Sequence, residues 1–395
     1  MKNIFKMLMI ISALVSFSFS KAEDLTGNLN PPKLFADVVK EHFSQWDSNG
    51  DGQLSEDEVI AALSNPNIKN ASAAAIVAID KVIRHHKYKL PPLTKDYLIS
   101  SPLKEVSKSQ EEADSADDGS KAEQIDHPPS FQHRYTGAIK KLSETSPELF
   151  PQSLPTFTAT RQGALGDCPF VSTVGAMNYC NPHDIKAMFK QNNDRSFTVT
   201  FGDGQVVNIA HLTDSDIAMW SSAGTNGLWF TVLEKAYRKI LVRAQKKFGE
   251  KEANVYEGFN SEHTVEIFTG HDIQNIELKG FTPDSPKLAS LRNKLEKASS
   301  EHLIIKTGTA GKGGPNSKKL PPGIPHGHAL AVLGYDRKTD VVDVWNPWGN
   351  NFTPDGPDGF KNGYTTKTGQ FFVPLKEFVE IFQNIQIETK NLYRN

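Results

Sequence analysis

The chain has 395 residues, which is long enough for two or three domains and excludes a small scaffold that depends on disulfides. Its 44 Lys and Arg residues balance 46 Asp and Glu residues, so no basic field favours nucleic acid, and no nucleic-acid partner is predicted. Two cysteines cannot form a disulfide framework. With 38% hydrophobic and 23% charged residues, the composition is that of an ordinary globular protein.

The first 22 residues have the pattern of a secretory signal peptide. Lys2 and Lys6 precede the uncharged stretch 7–20, and the sequence SKA at 20–22 supplies a small-residue cleavage pattern. A membrane-spanning helix needs roughly 20 apolar residues, so this stretch is too short to be a membrane anchor. We therefore predict cleavage after residue 22 and a mature chain outside the cytoplasm, secreted or periplasmic, with no membrane partner.

A helix that runs into an acidic loop follows. Val38, Val39, Phe43 and Trp46 share one helix face, and residues 47–58 then match the EF-hand calcium loop position by position. Because Ca²⁺ prefers six to eight hard oxygen ligands, this alternation predicts calcium as the cofactor. The alternative is a surface turn with chance spacing. The predicted ligands are Asp47, Asn49, Asp51, Gln53 and Glu58, with Gly52 at the sharp turn and Ser55 as a direct or water-mediated contact.

An exit helix and a second, weaker helix–loop–helix are predicted after this loop. Ser55 and Glu58 have the spacing of a capping box, and Val59 begins an apolar helical run. Residues 70–100 have the pattern of another helix–loop–helix, but the loop sequence YKLPP at 88–92 contains no carboxylate. We therefore expect one calcium site in a small all-α EF-hand unit at 23–100.

The next segment is acidic and lacks large apolar residues. Residues 107–124 contain no Val, Ile, Leu, Met, Phe, Tyr or Trp but include six acidic residues. Such a segment cannot bury enough apolar surface to offset its ordering entropy. We predict a disordered linker at 101–140 and place the chemistry in the remainder, 141–390.

Cys168 is predicted to begin a helix. A glycine-rich stretch precedes it, Pro169 suits the first helical position, and the apolar run 171–177 follows. At a helix N-terminus the dipole and the N–H groups favour a thiolate. Twelve residues of helix would separate Cys168 from Cys180 by about 18 Å, too far for a disulfide. Cys168 is therefore a free thiol, either reactive or a structural cysteine.

A histidine and an asparagine are predicted to lie side by side further along the chain. Residues 326–335 and 341–346 have the pattern of two strands joined by a turn at 336–340. In such a hairpin His328 lies opposite Asn346, or within two residues of that pairing, on the same face. Beside a thiol, a histidine takes the proton and an asparagine orients the imidazole. A satisfied core histidine is the alternative for His328 taken alone.

These segments resemble the calpain family of cysteine proteases. QGALGDC at 162–168 is similar to the family's nucleophile segment, GHA at 327–329 to its histidine segment, and NPWG at 346–349 to its asparagine segment. Lesser similarities follow in the family's order: LW at 228–229, LEKAY at 233–237, FTG at 268–270, GQFF at 369–372 and EF at 377–378. The resemblance extends over about 145–385.

The resemblance implies an α+β fold with a papain-like core of two subdomains, about 141–265 and 266–390, and a cleft between them. The resemblance also implies that the cysteine and the histidine form a thiolate–imidazolium pair. In such a pair the pKa of the cysteine falls to as little as about 3–4. Trp348 resembles the family's shield over the histidine–asparagine hydrogen bond, or it is an ordinary core tryptophan. The implied roles are nucleophile for Cys168, general base for His328, orienting residue for Asn346 and oxyanion-hole donor for Gln162.

Two features depart from the family pattern. Pro169 stands where calpains have a tryptophan, which removes an aromatic wall beside the nucleophile. A single EF-hand precedes the core, whereas a tandem EF-hand domain follows it in conventional calpains. Because a linker is predicted between the EF-hand and the cleft, we expect calcium to affect stability or docking more than chemistry.

The sequence thus predicts a secreted, calcium-dependent, calpain-like cysteine endopeptidase, a hydrolase that acts as a monomer on protein or peptide substrates. The alternative is a catalytically inactive calcium-binding or adhesion module on a protease fold, which Pro169 motivates. Acyl transfer to amines instead of water uses the same thiol chemistry and stays open.

Overall fold

The structure is a computed structural model that describes residues 33–84, 90–100, 130–163, 166–247, 263–282, 285–313 and 318–392. The predicted signal peptide and residues 101–129 of the predicted linker lie outside these ranges. Within them, every helix is too short or too polar to cross a bilayer.

The described part of the chain begins with five helices that share one apolar core. Val38, Val39, Phe43 and Trp46 are buried on one face of the first helix, as their spacing predicts. Ser55 caps the second helix through the predicted capping box. The five helices are α1 (Phe35–Trp46), α2 (Glu56–Ser64), α3 (Asn70–Ile83), α4 (Lys95–Ile99) and α5 (Phe131–Glu144).

The first four helices form two helix–loop–helix units whose loops pair with each other. The N–H of Leu54 donates to the carbonyl of Leu93 at 3.1 Å, and Gln53 forms an antiparallel bridge with Thr94. The second unit, α3 and α4, therefore occupies the range 70–100 in which the sequence predicted it.

Helix α5 corrects the predicted boundary of the linker. Ser130 caps this helix, and Phe131, Tyr135 and Ala138 are buried at helical spacing. The ring of Phe131 stacks on that of Phe35 with centroids 5.3 Å apart. Residues 131–140 were expected to be disordered because the acidic stretch was extended too far along the chain; they are helical because their apolar face covers α1 and α3.

The remainder combines further helices with two antiparallel sheets. One sheet has the strand order β1-β2-β3, and the other has the order β4-β9-β5-β6-β7-β8. The helices are α6 (Cys168–Cys180), α7 (Pro182–Ala187), α8 (Asp214–Met219), α9 (Trp229–Lys247), α10 (Thr264–Thr269), α11 (Pro286–Ser300) and α12 (Leu375–Ile381). The strands are β1 (Phe189–Gln191), β2 (Phe197–Thr200), β3 (Val206–Ile209), β4 (His271–Glu277), β5 (Ile305–Gly308), β6 (Ala329–Asp336), β7 (Val341–Trp345), β8 (Gln370–Pro374) and β9 (Asn384–Leu392).

Two apolar cores share strand β6: Ala331 and Leu333 belong to one, and Leu330 and Val332 belong to the other. One core joins α6 and α9 to the small sheet, and the other fills the space between the large sheet and helices α11 and α12. Helix α6 lies against β6, and the indole of Trp345 packs so closely on Gly175 that a β-carbon there would collide with it. The mixture of helix and sheet is compatible with an α+β protease core.

The β6–β7 hairpin has the predicted turn but a shifted register. Ala331 lies opposite Trp345, and a bulge falls between Val332 and Gly334. Continuing this register beyond β6 places His328 opposite Trp348, two residues from Asn346, which is within the predicted range.

Candidate active site

Cys168 is the first residue of helix α6, as the sequence predicted, and both cysteines are free thiols. Its sulfur accepts a hydrogen bond from the N–H of Ala329, with 3.4 Å between N and Sγ. This contact joins the start of α6 to the start of β6, directly after His328. The helix N-terminus and the histidine segment therefore meet although 160 residues separate them in the sequence.

His328 and Asn346 lie side by side in the interior. Nε2 of His328 is 2.8 Å from Oδ1 of Asn346, and only 5% and 2% of the two residues' surfaces are exposed. The N–H of Trp348 donates to the same oxygen at 3.1 Å, while Nδ2 of Asn346 donates to Asn350 at 3.2 Å. An amide oxygen only accepts, so Nε2 carries the proton and Nδ1 of His328 is left as the basic nitrogen.

Trp348 covers the histidine ring. The two ring centroids are 4.6 Å apart at an interplanar angle of 48°. Together with its N–H bond to Asn346, this contact agrees with the shielding role and does not suit an ordinary core tryptophan.

The comparisons with known proteins agree with this geometry. A family model for calpain family cysteine proteases matches residues 138–389, more than half of the chain. This chain belongs to the calpain family of cysteine proteases. It is 23% identical over 263 residues to calpain clp-1 of Caenorhabditis elegans, and that alignment covers 57% of this chain and 31% of the relative.

Two further relatives give the same assignment. Calpain-9 of Homo sapiens is 23% identical over 265 residues, which cover 57% of this chain and 35% of that protein. The calpain-type cysteine protease DEK1 of Zea mays is 28% identical over 210 residues, which cover 50% and 9% of the two chains. This calpain-family chain therefore spans about a third or less of the length of these relatives.

Burial opposes charge on both reacting groups. It raises the pKa of the Cys168 thiol to about 11, with Asp167 adding to the rise while the N–H of Ala329 and the amine of Lys306 oppose it. Burial also lowers the pKa of His328 to about 4, which the bond to Asn346 only partly offsets. The desolvation of this site therefore favours the neutral thiol of Cys168 and the neutral imidazole of His328 over their charged forms.

Gln162 belongs to the segment that leads to the nucleophile. Its N–H donates to the carbonyl of Pro347 at 3.0 Å, which ties this segment to the residue after Asn346. The N–H of the next residue, Gly163, donates to the hydroxyl of Ser221 at 3.0 Å. These two hydrogen bonds fix the backbone from which the Gln162 side-chain amide extends. Residues 164–165, between this segment and Cys168, lie outside the described ranges.

A buried carboxyl pair beneath the nucleophile was missed by sequence reasoning. Asp167 and Glu234 have exposed fractions of 1% and 0%. Burial raises the pKa of both, and the charge of Asp167 raises that of Glu234 further. Glu234 accepts a hydrogen bond from the N–H of Ser221, and the hydroxyl of Ser221 accepts one from the N–H of Gly163. The carboxyl pair therefore connects Asp167, the residue before Cys168, to Gly163. The sequence signals were the position of Asp167 beside the cysteine and that of Glu234 in the LEKAY segment at 233–237.

The predicted calcium loop is folded by its own side chains. The carboxylate of Asp47 accepts N–H groups from Gly50 at 2.9 Å and Gly52 at 3.0 Å. Both glycines have positive φ, at 72° and 82°, which glycine adopts without strain. Oδ1 of Asn49 accepts from the N–H of Asp51 at 2.8 Å. These turns hold the loop oxygens on one short segment, as an EF-hand requires.

Glu58 makes a different set of contacts. Its carboxylate accepts N–H groups from Ser48 at 2.8 Å, Asn49 at 3.1 Å and Ser55 at 3.0 Å. Backbone hydrogen bonds from Ser55 and Asn49 lower its pKa to about 2. Within the ranges that the structure describes, no group of three or more His, Cys, Asp or Glu side chains is arranged to hold a metal ion. The calcium site stays a prediction.

Proposed function

We propose that this calpain-family chain is a secreted, calcium-responsive endopeptidase that cleaves peptide bonds through a thioester at Cys168. The observation that carries the proposal is the 2.8 Å hydrogen bond from His328 to Asn346, made beside the residue whose N–H contacts the Cys168 sulfur. Membership of a cysteine protease family supports the same function. Protein or peptide substrates follow from that chemistry.

The proposed reaction begins with proton transfer from the Cys168 thiol to Nδ1 of His328. The sulfur then attacks the carbonyl carbon, and the N–H of Cys168 and the amide of Gln162 donate to the oxyanion; one such donor is typically worth about 10²–10³ in turnover. The C–N bond breaks as the amine takes the proton from His328. Water, activated by the same imidazole, hydrolyses the thioester and restores the thiol.

Proton transfer at this site needs help because both groups are desolvated. Creating a thiolate and an imidazolium together costs less than creating either charge alone, since the two attract each other strongly in a medium of low dielectric constant. Asn346 supports the imidazolium through its carbonyl oxygen. The site therefore suits a concerted transfer that takes place when substrate is bound.

The oxygens of the loop at 47–58 suit calcium in type. Carboxylate and amide oxygens recur at alternate positions, and the left-handed glycines allow the loop to curl around one ion. Glu58 would have to exchange its bonds to loop N–H groups for bidentate contact with the ion. We propose Asp47, Asn49, Asp51, Gln53 and Glu58 as the ligands, and a structural role for Ca²⁺ when it is bound.

Cleavage of casein or of a reporter peptide by the wild-type chain and by Cys168→Ala tests the endopeptidase. We expect cleavage by the wild type and none by the variant, because no other residue in the proposed reaction supplies a nucleophile. Equal cleavage by both chains would contradict the proposal. Peptide–amine crosslinks in place of hydrolysis would point to transfer, and the absence of both products would favour the inactive module.

We also propose export with removal of the first 22 residues. Expression with the native N-terminus and mass determination of the exported chain tests it. The expected mature N-terminus is Glu23, and an intact N-terminus on a cell-associated chain would contradict it.

A further inference from the structure

Lys306 is a buried lysine in the middle of the large sheet. It lies on β5 between Ala331 of β6 and Gln386 of β9, and 4% of its surface is exposed. Its Nζ donates to the carbonyl oxygen of Pro169 at 3.0 Å. Since Pro169 follows Cys168, this amine contacts the first turn of the helix that carries the nucleophile.

The carbonyl oxygen of Pro169 carries only a partial negative charge, so it compensates the charge of a buried ammonium group poorly. The hydroxyls of Thr173 and Ser172 also donate to it, at 2.8 Å and 3.2 Å. Among the described residues, no carboxylate lies within ion-pair distance of the Lys306 amine. A buried ammonium group without a nearby anion is strongly unfavourable, so the acidic groups around the amine decide how readily it stays protonated.

Two acidic groups face this amine. Glu266 of α10 is 4% exposed, and its Oε1 lies 3.2 Å from Nδ1 of His263. The Cys168 thiol is the second group. Both raise the pKa of Lys306, while burial lowers it to about 8, so the amine is mostly protonated near neutral pH. The charged groups that face Cys168 itself are Asp167 and Lys306.

We propose that Lys306 is a positioning residue of the catalytic centre, whose ammonium group stabilises the thiolate of Cys168 while its bond to Pro169 holds the first turn of α6. The inference rests on the proposed role of Cys168 as nucleophile. The Lys306 amine supplies a positive charge near the desolvated thiol before His328 is protonated. At an effective dielectric constant of about 20, a unit charge roughly 6–12 Å away changes a pKa by about one to two units.

The pH dependence of Cys168 alkylation by iodoacetamide tests this role. Rates are measured by peptide mass spectrometry from about pH 6 to pH 9, because Lys306 loses its charge around its pKa of about 8, well below the pKa of about 11 of Cys168. In Lys306→Met we expect the alkylation rate of Cys168 at neutral pH to fall about tenfold, which corresponds to about one pKa unit. Lys306→Arg keeps the charge and should restore most of the rate.

Two controls separate this effect from a general loss of structure. Cys180 lies at the other end of α6 and its pKa responds to Glu388 but not to Lys306, so its profile should not move. Lys235→Met removes a lysine that pairs with Asp216 at 2.6 Å, and it should leave the Cys168 profile unchanged. A folded Lys306→Met chain in which Cys168 is alkylated at the wild-type rate at neutral pH would overturn the proposal.

A second measurement covers the case in which Lys306→Met does not fold. The pKa of Lys306 is followed by NMR of ¹³C-labelled lysine in Cys168→Asp, which places a carboxylate near the position of the thiolate, and in the uncharged variant Cys168→Ser. Because electrostatic coupling is reciprocal, the pKa of Lys306 should be higher in the aspartate variant, and equal values in the two variants would overturn the proposal. Alkylation needs no peptidase activity, so a shifted profile in a chain that cleaves nothing supports Lys306 and contradicts only the proposed function.

Discussion

At the scale of single residues, His328 decides how the site responds to pH. Its neutral form is the base in the proposed reaction, and burial lowers its pKa to about 4 from the ordinary 6.5. Protonation stops catalysis only below the folded-state value, so activity should persist well below pH 6. The unfolded chain, by contrast, protonates its histidine near 6.5. Burial of neutral His328 therefore contributes stability that is complete above pH 6.5 and declines as the pH falls toward 4.

We predict that the acidic limb of kcat/KM has an apparent pKa below 6, measured with a neutral reporter peptide. In Asn346→Ala the limb should move lower still, because the bond to Asn346 raises the pKa of His328. Turnover should also fall by about 10² or more, since the tautomer is no longer fixed. An acidic limb near 6.5 in the wild type would show that the imidazole is solvated during turnover.

At the scale of elements, the contact between α6 and β7 fixes the distance from nucleophile to histidine. Gly175 lies in the middle of α6, where glycine normally costs about 0.5–1 kcal/mol relative to alanine. Helix propensity alone would therefore make Gly175→Ala stabilising. An added β-carbon, however, collides with the indole of Trp345, the residue before Asn346. Overpacking of this kind costs about 1–3 kcal/mol, so the collision dominates.

We predict that Gly175→Ala lowers the free energy of unfolding by about 1–2 kcal/mol and reduces turnover, because α6 shifts relative to β7. Gly137→Ala is the matched control: this glycine lies within α5 and a β-carbon there meets nothing within 4 Å. It should be stabilising by about 0.5–1 kcal/mol. Urea denaturation and peptide cleavage measure both effects, and equal stability changes would contradict the packing argument.

Elements marked by local signals could be predicted from the sequence, and those set by tertiary packing could not. The start of α6 at Cys168 and the cap at Ser55 depend on neighbouring residues, so their patterns were sufficient. Helix α5, by contrast, is stabilised by a contact between residues distant in the sequence, the stacking of Phe131 on Phe35. Lys306 follows a short apolar run in the sequence, and nothing in that local pattern indicates that its amine contacts Pro169.

At the scale of the whole molecule, the N-terminal helices pack directly on the protease part. The N–H of Asn70 at the start of α3 donates to Asp214 at 2.7 Å, and Lys141 of α5 donates to the carbonyl of Trp220. Trp220 belongs to the core of the helical unit and precedes Ser221, which holds Gly163 and Glu234. The expected separation by a linker is therefore not found, because α5 and residues 214–220 join the two parts.

We predict that a chain starting at residue 145 loses both solubility and peptidase activity. Removal of the helices uncovers Ala218, Met219 and Trp220, which are each no more than 2% exposed in the full chain, and it removes Lys141 from the carbonyl beside Ser221. A chain starting at residue 130 keeps α5 and should keep part of the activity. Dye binding to exposed apolar surface and peptide cleavage distinguish the two chains. Full activity from residue 145 would show that the contact with the helices is dispensable.

Calcium should therefore stabilise the whole molecule and not the loop alone. Because α1 and α2 share one core with α3, α5 and Trp220, an ion that binds only the folded loop raises the free energy of unfolding of the packed assembly. This increase is about 2.7 kcal/mol when the calcium concentration is 100 times Kd.

Glu58→Gln should abolish the rise in Tm with calcium, whereas Glu56→Gln, a charge change two residues away in the same turn of α2, should preserve it. Calorimetry with and without a chelator measures both. Two separate unfolding transitions, with only one of them shifted by calcium, would contradict this prediction. They would show that the helical unit unfolds on its own and that its contact at Trp220 does not couple it to the rest of the molecule.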